Sequence, residues 1–257
     1  GGKVMNPFEL GNAVRTGVVD VGNLPGAFYT NLMPEADALK MTKAPMKELR
    51  QNGSWDYFNQ LHNEKVNAYF LARQKDRVPF HLYLTKEIEG MDLTGLKIRV
   101  TPIYRSFFES MGATMVRTAP GEVFAALERG VVDGYGWPIQ GIFDLGWHEV
   151  TKFRVDPGFY SAAVEVLVNL DTWDRLTDEQ KAVLHEAAEW LDEFGGAEDT
   201  ALNESEAQRQ VDFGIQVIGF EGDAGRTYLE QAEDSAWATI VEVSPEHGPK
   251  LRELLSQ

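Results

Sequence analysis

Arg15-Thr-Gly-Val-Val-Asp-Val-Gly-Asn-Leu-Pro25 and Glu128-Arg-Gly-Val-Val-Asp-Gly-Tyr-Gly-Trp-Pro138 carry one internal spacing at two places in the chain. Each copy reads as the end of a helix closed by a glycine, Gly17 or Gly130, because glycine tolerates the left-handed backbone that terminates helices. A β-branched pair follows, Val18-Val19 or Val131-Val132, suited to a buried strand of a parallel sheet. A glycine-containing turn ending in proline closes each copy. In open α/β sheets ligands bind beyond the carboxyl ends of the strands, so a repeated helix, strand and loop predicts two similar sheets facing one cleft. The competing reading is a chance recurrence of a short string.

Working outward, 257 residues suffice for two lobes with separate cores or for one large α/β domain. A hydrophobic content of 43% with 25% charged residues is ordinary for a globular protein. No run reaches the roughly 20 apolar residues of a membrane helix, and the first residues carry no signal-peptide pattern. The chain has no cysteine, which excludes disulfides, thiolate metal sites and cysteine nucleophiles. A net charge of -16 repels phosphate backbones, so nucleic acid is not an expected partner. An anionic ligand would require a local, desolvated cation.

Further elements follow from periodicity. Leu96, Ile98 and Val100 alternate with Lys97, Arg99 and Thr101 as a strand, stopped by Pro102. Residues Ala119 to Arg129 read as a helix burying Val123, Phe124 and Leu127, and Val164 to Leu170 as an apolar strand. Thr177-Asp-Glu-Gln180 is a capping box, followed by a predicted buried face of Val183, Ala187, Trp190, Leu191 and Phe194. Gly195-Gly196 either ends that helix or weakens one that continues to Phe213. A strand at Ile215 to Phe220 and an acidic helical tail complete the α/β pattern.

Chemical motifs are sparse. Five histidines form no metal motif, and neither a G-x-S-x-G elbow nor a P-loop is present. Gly134-Tyr-Gly136 is followed by Trp-Pro, which breaks the dinucleotide fingerprint. The adjacent acidic pairs, such as Asp178-Glu179 and Asp192-Glu193, read as solvated helix faces. Arg99 stands near a strand end, where it is either an exposed arginine or a planar fork aimed at a carboxylate. Trp137, Tyr135, Tyr104, Phe80 and Tyr160 read equally as core or as ligand-facing aromatics.

Leu93-Thr-Gly-Leu-Lys-Ile-Arg-Val100, Met111-Gly-Ala113 and Gly121-Glu-Val-Phe-Ala-Ala-Leu-Glu-Arg-Gly-Val-Val-Asp-Gly134 together resemble the signature block of the DctP family, the solute-binding proteins of TRAP (tripartite ATP-independent periplasmic) transporters. The rest of the chain is similar more weakly, including Met33-Pro-Glu35. The resemblance implies an α/β, two-lobed, periplasmic-binding-protein-like clamp with discontinuous lobes and a long helix crossing both. Residues 1–79 and 163–202 would form lobe I, and 80–162 and 203–257 lobe II. Lobe I would lack the strand and helix with which relatives open. Arg99 matches the family's carboxylate-clamping arginine, whereas Glu122 is read as a structural helix start.

What the resemblance implies for function is a periplasmic, non-enzymatic protein that captures a small organic carboxylate and delivers it to a TRAP membrane permease, without a cofactor. Sialic-acid-type members carry a second arginine near Phe80 and an asparagine at Trp137; members that hold a keto acid through a metal carry a glutamate at Gly136. These departures predict no metal and a monocarboxylate with a hydrophobic body, aromatic or branched. The expected ligand contacts are Arg99, Trp137, Phe80, Tyr104, Tyr135 and Tyr160, with the other lobe closing through Asn23 to Tyr29. A ligand sensor on the same fold, or an α/β hydrolase or isomerase, is the alternative.

Overall fold

The structure is a computed structural model that describes residues 5–118 and 120–256. In chain order its strands are β1 (Val21–Pro25), β2 (Ala68–Lys75), β3 (Pro79–Leu84), β4 (Lys97–Val100), β5 (Thr114–Arg117), β6 (Gly134–Pro138), β7 (Phe153–Ser161), β8 (Val164–Asn169) and β9 (Gln216–Gly219). Its α-helices are α1 (Leu10–Arg15), α2 (Met46–Gln51), α3 (Ser54–Val66), α4 (Arg105–Ser110), α5 (Val123–Glu128), α6 (Leu170–Arg175), α7 (Asp178–Phe213), α8 (Gly222–Val243) and α9 (Gly248–Leu255).

The chain divides into two compact units. The first comprises Gly1–Arg77, Ser161–Asp199 and Ile240–Gln257; the second comprises Val78–Tyr160 and Thr200–Thr239. The last segment groups differently from the expected division, which put all of 203–257 in lobe II. The cause is apolar burial: Leu251, Leu254 and Leu255 of α9 are buried in the first unit, and Ser54 at the start of α3 donates to the Leu254 carbonyl.

The first unit holds a three-stranded antiparallel sheet in the order β1-β8-β2. Tyr29, His62 and Glu165 are buried together in it, and burial pushes the Glu165 carboxyl above its ordinary range against the opposing pull of His62. The second unit holds a six-stranded sheet in the order β5-β4-β6-β3-β7-β9. It is mixed: β4 runs parallel to both β5 and β6, while β6 and β3 are antiparallel. The strand of the second copy, β6, does pair in parallel with β4, but β1 of the first copy pairs antiparallel with β8, and the two sheets differ in size, so the expectation of two similar sheets is corrected.

The repeated segment is one conformation used twice. Gly17 (φ +71°) and Gly130 (φ +66°) both sit in the left-handed region. Gly17 and Gly130 donate to the carbonyls of Val14 and Leu127, and Val18 and Val131 to those of Ala13 and Ala126, the same offsets in each copy. The predicted strands are displaced, however. Val18 is 72% and Val131 48% exposed, both in the turn, and the strands begin later, at Val21 and Gly134. Asn169 and Thr85 donate to the carbonyls of Asp20 and Asp133, and the paired strands run on from there.

Helix α7 runs for 36 residues without interruption. Its capping box is reciprocal: Gln180 N donates to Thr177 Oγ1 (3.3 Å), and Thr177 N to Gln180 Oε1 (2.9 Å). Gly196 does not end it; a side chain there would meet the Arg77 guanidinium. The predicted buried face is corrected. Val183, Ala187, Trp190 and Phe194 are exposed; Leu191 alone of the predicted face packs, together with Leu184 and Ala188, against Trp173, Tyr69 and Val168. In the second unit, a 3-10 turn at Pro120–Glu122 precedes α5, which buries Val123 and Leu127 and half-buries Phe124; Ala119 of the predicted helix lies outside the described residues.

Candidate functional site

Arg99 occupies the third position of β4, opposite Val116 of β5 and Tyr135 of β6, in the second unit. It is 1% exposed. The chain folds back over it because β5 ends at Arg117, so that the Thr118 carbonyl accepts from Arg99 Nε (3.2 Å) and Nη2 (3.1 Å). Nη1 donates to the Tyr104 hydroxyl (3.1 Å), which in turn donates to the Gly136 carbonyl (2.6 Å). Three of five guanidinium N–H groups are thereby committed, leaving one on each terminal nitrogen. No carboxylate among the described residues lies within ion-pair distance of Arg99.

The surroundings of this cation are aromatic. Its Cζ stands 5.8 Å from the ring of Trp137 and 5.9 Å from that of Trp147, and these two indoles pack edge to face at 4.7 Å. Such contacts offset part of the desolvation of a buried guanidinium without neutralising it. Tyr104 packs on Phe80 at 5.8 Å and is fully buried. Burial raises its hydroxyl above the ordinary range, against the opposing effect of Arg99, so it stays protonated and able to donate. Gly136 is required by this packing: a Cβ there would lie 2.7 Å from Tyr104 Cε2. A glutamate has no room at that position.

The other predicted residues do not gather in one place. Phe80, Tyr104 and Trp137 gather around Arg99. Tyr135 stacks on Tyr83 at 5.1 Å, shares its hydroxyl with Thr151 at 2.8 Å, and belongs to the core cluster beneath the sheet. Tyr160 has a left-handed backbone (φ +41°), and its hydroxyl donates to the Ala232 carbonyl of α8 at 2.6 Å. Asn23 is exposed on β1 of the first unit, where its amide donates to Gln74 at 3.4 Å. Trp147 escaped sequence reasoning; it follows Gly146 in a short irregular segment where no periodicity marks a tryptophan as functional. Among the described residues no group of three acidic or histidine side chains is placed to hold a metal, and no helix is long and apolar enough to cross a membrane.

Comparison with known proteins gives this arrangement a family. A monocarboxylate 2-oxoacid-binding periplasmic protein of Nostoc sp. is 26% identical over 200 residues, a match spanning 72% of this chain and 54% of that one. A solute-binding protein of Roseobacter denitrificans is 25% identical over 258 residues, covering 97% of this chain and 77% of the other. Among solved structures, the fold is similar to that of a TRAP periplasmic solute-binding protein from Roseobacter denitrificans with bound L-galactonate, with a TM-score of 0.79 and 22% identity over 96% of this chain and 82% of that one. The model of the bacterial extracellular solute-binding proteins, family 7, matches residues 2–242. The chain belongs to that family, the DctP family, with the mixed α/β fold of its two-lobed binding proteins and the role of a binder, not of an enzyme.

Proposed function

We propose that this chain is the periplasmic binding component of a TRAP transporter, holding a small monocarboxylate on Arg99 and handing it to a membrane permease. The observation that carries this reading is a guanidinium, 1% exposed, with two N–H groups uncommitted and no acid in reach among the described residues. An unpaired buried charge is unfavourable, and a ligand carboxylate supplies the missing partner. Trp137, Trp147, Phe80 and Tyr104 then form the wall against the ligand body. Apolar walls with a single cation favour a monocarboxylate with a hydrophobic body over a sugar acid. The Nostoc relative, named for binding monocarboxylate 2-oxoacids, supports that choice. Tyr135 and Tyr160, whose hydroxyls are already satisfied, act as supports.

The test is a thermal-shift and calorimetric screen of folded protein against branched and aromatic monocarboxylates, dicarboxylates and sugar acids. Saturating ligand at about 100 times its Kd stabilises the native state by about 2.7 kcal/mol. The reading expects a monocarboxylate to raise the melting temperature, Arg99→Lys to weaken it, and Arg99→Ala to abolish it. A response confined to sugar acids, or one indifferent to Arg99, overturns it.

A further inference from the structure

In the first unit, α2 and α7 line a cavity of about 520 Å³, with Arg77, just beyond β2, also in its wall. Its charges are sorted by element. Lys47 and Arg50 of α2 and Arg77 are cations, while Glu189, Asp192 and Glu193 of α7 are anions. The three acids stand at i, i+3 and i+4, which sets them on one face of the helix. Arg50 and Asp192 meet, Nε to Oδ2, at 3.1 Å. Arg50 is held there by the Leu71 carbonyl, 2.8 Å from Nη2, and by the Trp55 ring, 4.9 Å from Cζ. Lys47, Glu189 and Glu193 form no ion pair among the described residues, and Arg77, 43% exposed, lies 3.6 Å from Asp76. Asp192, expected on a solvated helix face, has a side chain only 5% exposed, and its Oδ1 is buried without a hydrogen-bond partner among the described residues. Burial raises its carboxyl above the ordinary range despite the pull of Arg50, so one arginine does not fully compensate it.

A basic wall and an acidic wall that share one cavity, joined by a single ion pair and otherwise uncompensated, set up a field across it. A plain cation or anion entering that field is attracted by one wall and repelled by the other. A molecule carrying both charges, apart from each other, is attracted at both ends. We propose that this cavity is a second small-molecule site, for zwitterions of the ω-amino acid class. The ammonium group is held among Glu189, Asp192 and Glu193, and the carboxylate is held by Lys47 and Arg77. The charges left unjoined lie beyond ion-pair distance of one another, so a zwitterion with its charges on neighbouring carbons spans them poorly. The site lies wholly in the first unit and does not depend on the reading of Arg99.

The experiment is calorimetry on the full chain with 6-aminohexanoate, its single-charge analogues hexylamine and hexanoate, and glycine. Arg99→Ala serves as the background, so that carboxylate binding at Arg99 does not report. There 6-aminohexanoate is expected to bind about tenfold more tightly than any of the other three, the scale of one charge-assisted hydrogen bond. Lys47→Met, and separately Glu189→Gln/Glu193→Gln, are each expected to weaken it about tenfold; all three side chains are exposed, so these variants keep the fold. Should Arg99→Ala not fold, amide shifts of wild type titrated with 6-aminohexanoate carry the comparison, and are expected at residues 45–51 and 189–193. The site is overturned if 6-aminohexanoate does not bind, if either single-charge analogue or glycine binds as tightly, if the wall variants bind like their parent, or if the shifts fall on β4 instead. None of these outcomes touches the carboxylate site at Arg99, which the separate screen of monocarboxylates decides.

Discussion

Gly136 shows how little latitude the residues around Arg99 have. The space its missing side chain leaves is filled by the ring of Tyr104, whose hydroxyl links Arg99 to the Gly136 carbonyl. Gly136→Ala places a carbon 2.7 Å from that ring and forces it to move. A loss of about 1–3 kcal/mol is expected from overpacking, read as a lowered urea midpoint together with weakened ligand affinity. Asp156 offers a second prediction. Burial raises its carboxyl, but His81 (2.8 Å) and a bidentate Arg154 (3.0 Å to each oxygen) outweigh that and hold it down at about 2. A carboxyl depressed in the folded state adds stability that is present above its unfolded value, near 4, and is lost as pH falls toward 2. The group is one-third exposed, so the contribution is about 1–2 kcal/mol after solvent screening. Urea unfolding at pH 5 and at pH 2.5 should show a larger acid loss in wild type than in Asp156→Asn. Arg99 itself was legible only by resemblance, since spacing left it exposed or buried. Trp147 was not legible, because its significance arises from tertiary proximity.

Among the elements, α7 separates what periodicity reveals from what it leaves open. The capping box at Thr177 and Gln180 was readable because it is a local exchange of hydrogen bonds. The buried face was not. Of the expected face only Leu191 packs; Val183, Ala187, Trp190 and Phe194 lie along an exposed stripe, while Leu184 and Ala188 join Leu191 on the adjacent one, and a helical period accommodates either. Tyr69 and Trp173, stacked at 3.8 Å, pack with the second stripe. Trp190 is 61% exposed and Trp173 is 6% exposed, so their substitutions should diverge. Trp190→Ser is expected to change stability by less than about 0.5 kcal/mol, and Trp173→Ala to cost about 3–5 kcal/mol, both by chemical denaturation. The strands of the repeated segment were misplaced for a related reason. A β-branched pair signals strand propensity, but here it lies in the turn that closes each helix, with Val18 and Val131 exposed, and pairing begins only beyond it.

Across the whole molecule, the order of segments in the chain is not their order of assembly. The first unit is built from three stretches of sequence and the second from two, with α7 and α8 contributing residues to both. Short-range patterns carry no information about which unit a terminal helix joins, and α9 went to the first because its leucines are buried there. Deleting residues 248–257 therefore removes Leu251, Leu254 and Leu255 from that core. The expected effect is several kcal/mol, at about 1.5–3 kcal/mol for each buried leucine, with hydrogen exchange accelerating in α3 first. Acceleration limited to the second unit would contradict this assignment.

The two left-handed glycines make the protein its own instrument for cooperativity. Gly17 and Gly130 close matching turns, one in each unit, and neither has a neighbour that an added methyl would crowd: the nearest atom at Gly17 is 3.7 Å away, and none lies within 4 Å at Gly130. Alanine at either place imposes almost pure backbone strain, about 1–2 kcal/mol. The two substitutions are thus equal weights hung on different parts of one chain. If the units melt as a single body, both variants shift one transition by the same amount. If they melt separately, each variant moves its own transition and leaves the other where it was, and calorimetric scans of the pair distinguish these outcomes without ligand or label.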